Sequence, residues 1–456
     1  MGWAAEEFDT INLGDARRDR RAIQLIERLA DQPTASIPGA GNGWAETQAA
    51  YRFLGSDAYD WQDILAPHRQ CTQARMATHP VVLCLPDTTE LDFNGQAITG
   101  LGPLSYEAQR GMSLHPTYAV TPEREPPGVL DAWMWAREFK DADGQRGGAP
   151  ESLRWKEGYE RVAELAATLP DTRLVYVGDR EADIVEWMAG ARDLGTPADW
   201  LVRAQHNRVL PEGQRLWETV LASAPLGEVR FTLPAGRRRR ARGAPGTLRP
   251  ARPDRGPPGR PRRCHLPHRP RARCPDGVKP VEWRLLTNRL VETLDAAAEL
   301  IDWYRARWEI EMLFLVLKEG CRVEALQLST VERLERALAL FLIVSWRIAR
   351  LMRLGRTLPD FDASLLFARE EWEAAYLLAK QPVPTQPPRL NAVLRLIARQ
   401  GGFLGRKGDG EPGVKTIWLG LQRVRDVAMG IQYAREADGG HSTRSSVCLG
   451  RTLRVV

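Results

Sequence analysis

The chain reads as an α/β protein with helical regions at either end, and three observations predict it. Short apolar, β-rich runs at residues 81–85, 129–135, 174–177 and 200–204 alternate with helical stretches such as 154–168. Helical periodicity dominates residues 1–70 and most of the chain beyond 294. With 456 residues, 43% of them hydrophobic and 27% charged, the chain can bury a large core. A peptide hormone and wholesale disorder are excluded, and about two to four domains are expected.

In chain order, Leu25, Ile26 and Leu29 recur at helical spacing in a helix that starts near Asp15. After the glycine-rich turn at 39–43, Trp44, Gln48 and residues 51–54 predict another helix. The central α/β region follows. Residues 281–287 then read as a strand, 294–318 as one long helical region and 332–352 as another helix. A proline-rich link at 381–388 precedes helix 390–399, a glycine-rich turn at 401–413 and an amphipathic stretch at 416–433. The expected domains are 1–70, 71–370 with an insertion at 205–290, and 371–456.

The net charge of +6 invites a nucleic-acid reading, but its source is local. Residues 237–273 hold 14 arginines and eight prolines against one acid, Asp254, so the rest of the chain is acidic in balance. A stretch so poor in aliphatic residues builds no core and is expected to be disordered over 236–275. It reads as if a GC-rich gene had slipped frame briefly, or else as a basic loop that tracks DNA. The six cysteines are scattered and suggest no disulfide framework. Cys264, His265, His268 and Cys274 lack zinc-ligand spacing. The apolar run at 337–346 is about half the length of a bilayer crossing, and residues 1–30 carry acids and arginines where a leader needs an apolar core.

Two acids stand just past buried-strand patterns. Asp87 follows the run at 81–85, and Asp179 follows 174–177 after one glycine. Carboxyl ends of strands in open α/β sheets gather ligands, so both could share a site; both are equally the kind of residue that forms turns and caps. Tyr304, Arg307, Glu311 and Lys318 fall at offsets of 0, 3, 7 and 14, one stripe of an otherwise apolar helix. A glutamate facing inward from such a helix needs a partner, and a metal ion shared with Asp87 and Asp179 would serve. His115 lies between strands in this reading and receives no role.

These residues resemble the DDE transposases of bacterial insertion sequences, specifically the transposon-five type of the IS-four family. The block Asp87-Thr-Thr-Glu-Leu-Asp-Phe93 is similar to that of the first catalytic Asp, and Gly178-Asp179-Arg-Glu-Ala-Asp-Ile184 to that of the second. Tyr304, Arg307, Glu311 and Lys318 match the Tyr-(2)-Arg-(3)-Glu-(6)-Lys signature. Leu13-Gly-Asp-Ala-Arg-Arg18, Ala50-Tyr-Arg-Phe-Leu54 and the segment 401–409 also look like blocks of this family.

The resemblance implies an RNase H-like mixed-sheet catalytic core with a β-rich insertion, an N-terminal helical DNA-binding domain and a C-terminal helical dimerisation region. It implies that Asp87, Asp179 and Glu311 are catalytic and bind two Mg²⁺ ions, with Mn²⁺ able to substitute. Arg307, Lys318 and Tyr304 would contact phosphates, Arg203 would touch DNA, and Trp283 would act as a wedge during hairpin formation. The N-terminal cluster Arg17, Arg18, Arg20 and Arg21, together with Arg52, would bind transposon ends; four cations on the first turns of a helix disfavour folding alone and suit a phosphate partner. A homodimer in a synaptic complex with DNA, cytoplasmic and nucleoid-associated with no membrane partner, completes the expectation. Competing readings are a metal-dependent nuclease without transposition and a degenerate copy that binds ends as an inhibitor.

Overall fold

The computed structural model describes residues 2–229, 246–248, 269–270 and 283–444. Most of the arginine- and proline-rich stretch at 236–275, expected to be disordered, lies outside the described residues, as does 445–456. The chain divides into two packing units, one of residues 68–314 and 327–331, the other of 1–67, 315–326 and 332 onward.

The first of these units is built on an eight-stranded mixed sheet. Its strands are β1 (Val81–Pro86), β2 (Thr89–Asp92), β3 (Gly102–Pro103), β4 (Arg110–Val120), β5 (Gly128–Trp135), β6 (Arg173–Gly178) and β7 (Asp199–Arg203). After the short pieces β8 (Gly227–Val229), β9 (Gly246–Leu248) and β10 (Arg269–Pro270), which form a separate three-stranded sheet, β11 (Leu285–Thr287) returns to the main one. The order is β11-β7-β6-β1-β4-β2, with β3 and β5 also paired to β4. β1, β6 and β7 are parallel, and the register sets Cys84 beside Tyr176 and Tyr176 beside Trp200. Strands covered on both faces read as continuous apolar runs, which is why 81–85 and 174–177 stand out in the sequence.

Helices α6 (Leu153–Thr168) and α7 (Val185–Asp193) pack against this sheet in a cluster that includes Trp155, Tyr159, Tyr176, Trp187 and Trp200. Trp187 meets Tyr176 and Trp200 edge-on at 5.5 and 5.8 Å, a geometry that adds about 0.5–1.5 kcal/mol per pair beyond burial. α8 (Leu216–Ala222), α9 (Leu294–Ala306) and α10 (Trp308–Leu315) follow. The single helical region expected over 294–318 is therefore interrupted. α9 closes at Arg307, whose N–H bonds back to the Tyr304 carbonyl at 3.2 Å, and a π-helical turn at Val316–Gly320 succeeds α10. His115, expected between strands, lies in the middle of β4; Pro116 beside it argues against a strand in the sequence, since proline cannot donate to a ladder.

The other unit is helical. It contains α1 (Trp3–Glu7), α2 (Ala16–Asp31), α3 (Ile37–Ala40), α4 (Trp44–Leu54) and the start of α5 (Trp61–Met76), then α11 (Val331–Thr357), α12 (Arg369–Leu378), α13 (Leu390–Gln400) and α14 (Val414–Arg444). Asp15 caps α2 by accepting from the Arg17 N–H at 2.8 Å, while Ala22, Leu25, Ile26 and Leu29 form its buried face. The apolar run at 337–346 is the buried middle of α11, and no helix among the described residues is long and apolar enough to cross a membrane. Arg425 of α14 pairs with Asp31 of α2 at 2.7 Å and Glu371 of α12 at 2.8 Å, and Gln422 donates to Thr34. Packing thus joins α2 to α14, whereas the boundaries expected from sequence separate 1–70 from 371–456.

Candidate active site and nucleic-acid interface

Asp87 is the first residue beyond β1 and Asp179 the first beyond β6, two adjacent parallel strands, so both carboxylates emerge at the same end of the sheet. Gly178 before Asp179 is required by a close approach, because a Cβ there would stand 2.4 Å from the Ala182 methyl. Asp179 stabilises its own loop by accepting from the Glu181 N–H at 2.7 Å.

Asp87 is held at both oxygens. Oδ1 accepts from the Thr88 N–H at 2.9 Å, and Oδ2 accepts from Arg307 Nη1 at 2.6 Å. The two side chains are only 14% and 11% exposed. Burial pushes the Asp87 carboxyl up to about 7, the charge of Arg307 opposes this, and Asp179 and Glu311 add to the rise. Burial disfavours the charged Arg307, yet Asp87, Tyr304, Asp179 and Glu311 together leave its proton held more tightly than usual. The Arg307 guanidinium is thus a positive charge in contact with Asp87 and within electrostatic reach of Asp179 and Glu311.

Glu311 lies on the exposed side of α10 and it is Glu309 that is buried, so the expectation of an inward Glu311 is corrected. The buried positions Trp303, Ala306, Ile310, Leu313 and Leu317 share one face across Arg307, whose backbone angles stay helical, and Glu311 lies off that face. Tyr304 is buried, its ring 6.0 Å from the Arg307 guanidinium carbon and edge-on to Trp283 at 5.2 Å. Burial raises the Tyr304 phenol, with Arg307 and Arg203 opposing, which places Arg203 of β7 within electrostatic reach. The structure therefore brings together Asp87, Asp179, Glu311, Arg307, Tyr304, Trp283 and Arg203. Lys318 belongs to the helical unit, where it pairs with Glu324 at 3.6 Å.

The donor set suits a hard divalent cation, because all three acids offer oxygen and the charges of Asp179 and Glu311 raise the proton affinity of Asp87. Among the described residues, however, no three ligating side chains are gathered closely enough to hold one ion, and Arg307 supplies the countercharge.

In the helical unit, Arg17 and Arg20 point to solvent. Arg18 instead donates to the Leu13 carbonyl at 3.1 Å and Arg21 to Gln24 at 2.7 Å, so the cluster of four is half engaged in its own fold. The outer face of α4 carries Trp44, Gln48 and Arg52, with Trp44 75% exposed.

Two residues near the acids escape a reading of the sequence. Trp308, next to Arg307, is 60% exposed, and an indole left in water is the signal that only a structure supplies. His115 is fully buried with Nδ1 2.8 Å from Thr88 Oγ1; burial, with Arg154 adding, pushes it down to about 3, so the ring is neutral.

Three family models match the chain in order. Residues 1–59 match the transposase DNA-binding model, 159–347 the transposase DDE domain, and 343–440 the transposase Tn5 dimerisation domain. The DDE match spans Asp179 and Glu311 and begins after Asp87. Among solved structures, a piggyBac transposase synaptic complex with hairpin DNA aligns at 7% identity and a TM-score of 0.38, over 100% of this chain and 83% of that one, a likeness too distant to argue from. DDE transposase domains use divalent metals, and this one is RNase H-like, a mixed sheet with helices around it. With a DNA-binding region, a DDE domain and a dimerisation region following one another along it, the chain belongs to the DDE transposases of the transposon-five type and is a DNA transposase.

Proposed function

We propose that the protein is a cut-and-paste transposase that binds inverted-repeat ends, cleaves the flanking DNA and joins the ends to a target. The observation that carries this reading is the pair Asp87 and Asp179 at the ends of neighbouring parallel strands, with Arg307 bonded to Asp87 and in electrostatic reach of Asp179 and Glu311. Asp87, Asp179 and Glu311 would hold two divalent ions, Mg²⁺ or in its place Mn²⁺. Bound there, they supply Lewis-acid charge for an in-line displacement at phosphorus.

The chain's own groups do the rest. Arg307 and Tyr304 orient the phosphate of the scissile strand, with Arg307 exchanging its carboxylate partner for a phosphodiester oxygen. Arg203 holds the backbone farther along, and Lys318 is a further phosphate contact on the helical unit. Trp283, half-buried against Tyr304, and the exposed Trp308 offer flat surfaces on which a displaced base can stack. Arg17, Arg20 and the α4 face of Trp44, Gln48 and Arg52 capture the transposon end, Arg18 and Arg21 support that surface, and the C-terminal helices pair two subunits in a synaptic complex. The work is done on DNA in the cytoplasm, at the nucleoid.

The test is an in vitro reaction of the purified protein with the DNA flanking its own gene and Mg²⁺. Cleavage at inverted-repeat ends followed by strand joining supports the reading. Unspecific hydrolysis without joined products would replace it with a nuclease, and end binding without cleavage would replace it with an inhibitor.

A further inference from the structure

β4 is buried along almost its whole length, yet every second residue at its centre is polar: Ser113, His115 and Thr117, none more than 2% exposed. Alternate strand residues share a face, so these three line one side of the sheet. Polar groups at such positions are unfavourable unless something engages them, and an apolar side chain would pack there without that cost.

The imidazole of His115 is enclosed by Trp155 and Trp133, with ring centroids 4.9 and 5.9 Å away and both contacts edge-on. Its Nε2 has no hydrogen-bond partner among the described residues. Its Nδ1 has one, the Thr88 hydroxyl at 2.8 Å. Thr88 lies in the short corner between β1 and β2, and its main-chain N–H donates to Asp87 Oδ1 at 2.9 Å. A histidine that leaves one nitrogen unsatisfied in order to bond this one hydroxyl is poorly explained by packing alone. The site lies one residue from the carboxylate that must hold its direction.

We propose that His115 is a positioning residue for Asp87: its Nδ1 fixes the Thr88 hydroxyl, the corner between β1 and β2 is thereby set, and the Thr88 N–H aims Oδ1 so that Oδ2 faces the cationic partner. The inference rests on Asp87 being catalytic. His115 touches no reacting atom and transfers no proton. It acts as outer partners of functional carboxylates do, whose loss costs about 10- to 100-fold in activity.

The test uses the full chain with end DNA, measuring single-turnover strand cleavage at saturating DNA, end-binding affinity and Tm. His115→Phe and Thr88→Val should each lower the cleavage rate about 10- to 100-fold while end binding stays as in the parent. His115→Asn, whose amide reaches the Nδ1 position, and Thr88→Ser should restore most of the rate. The double variant His115→Phe/Thr88→Val should be no slower than the slower single one, since both remove the same bond. Asp87→Ala run alongside separates the two levels: if it still cleaves, the reading of the site fails. If Asp87→Ala is inactive while His115→Phe cleaves at the parental rate, or if the losses of the double variant multiply, the positioning role is overturned. Should His115→Phe fail to fold, the isosteric Thr88→Val, at a half-buried corner, decides the matter alone.

Discussion

Arg307 and Asp87 lie 220 residues apart in the chain and meet at 2.6 Å, the guanidinium closing on the one carboxylate oxygen that the backbone of Thr88 leaves free. Arg307 stands at the junction of α9 and α10, its side chain only 11% exposed beside the end of β1.

Removing Arg307 should therefore act on the fold as well as on the chemistry. In Arg307→Ala, Asp87 would remain buried beside Asp179 and Glu311 with no countercharge, and breaking such a pair costs about 3 kcal/mol. Protonation of Asp87 relieves the conflict, so the loss in denaturant stability should be larger at pH 8 than at pH 5.5. Equal losses at both pH values would mean that the pair carries little charge.

Asp87→Ala, Asp179→Ala and Glu311→Ala should each reduce strand cleavage by about 10³-fold or more, the scale on which charge-stabilising groups act. End binding, measured by gel shift, should persist. A variant that cleaves normally removes its residue from the site.

The half-engaged arginine cluster leads to a graded expectation for DNA. Neutralising Arg17, Arg20 and Arg52 should reduce the slope of log affinity against log salt by about 0.9 for each phosphate that the protein no longer neutralises. Arg18→Gln and Arg21→Gln should act mainly on stability, because those side chains bond Leu13 and Gln24. A slope that responds to Arg18 and Arg21 but not to Arg17 and Arg20 would invert the assignment.

The helical unit should weaken as pH rises. Burial lifts Glu335 to about 7, with Glu332 and Asp60 adding and Arg336 opposing; burial likewise lifts Asp31 to about 6, with Glu371 adding and Arg425 and Arg347 opposing. Acids whose proton affinity rises on folding keep more protons in the folded state, so their contribution is lost between their ordinary values and these raised ones, from about pH 4 to 7. Glu335→Gln should then raise Tm at pH 8 by about 2–4 °C, a figure kept small because Glu335 is partly solvated, and should leave Tm nearly unchanged at pH 4.5. Calorimetry at the two pH values decides it.

Asp87 and Asp179 are visible in the sequence because their signal is local: an acid immediately after an apolar run that only a strand buried on both faces produces. Glu311 is visible by spacing, although for a partly mistaken reason, since it lies off the buried face of its helix and Glu309 is buried instead. The partner of Arg307 is not visible, because nothing in a linear sequence brings residue 307 to residue 87. His115 is masked by the proline that follows it, and the union of α2 with α14 by the length of chain between them. What sequence conveys well is periodicity and capping, as with Asp15 at the head of α2; pairings closed by the whole topology need the folded chain.

The bond from Gln422 to Thr34 spans 388 residues, and the Arg425 pairs bridge α2, α12 and α14. A ribosome adding about 5–20 residues per second needs about 20 to 80 s to cross that interval. For all of that time Asp31 exists without the Arg425 guanidinium that pairs with it, and Glu371 shares the condition once it is made. α2, among the helices translated first, is thus among the last to gain its partners, and a message broken before codon 425 yields chains without the pairs that tie it to α12 and α14. In such fragments α2 and α12 would lack the side chains of Arg425 and Gln422, so the fold itself distinguishes a finished chain from an interrupted one.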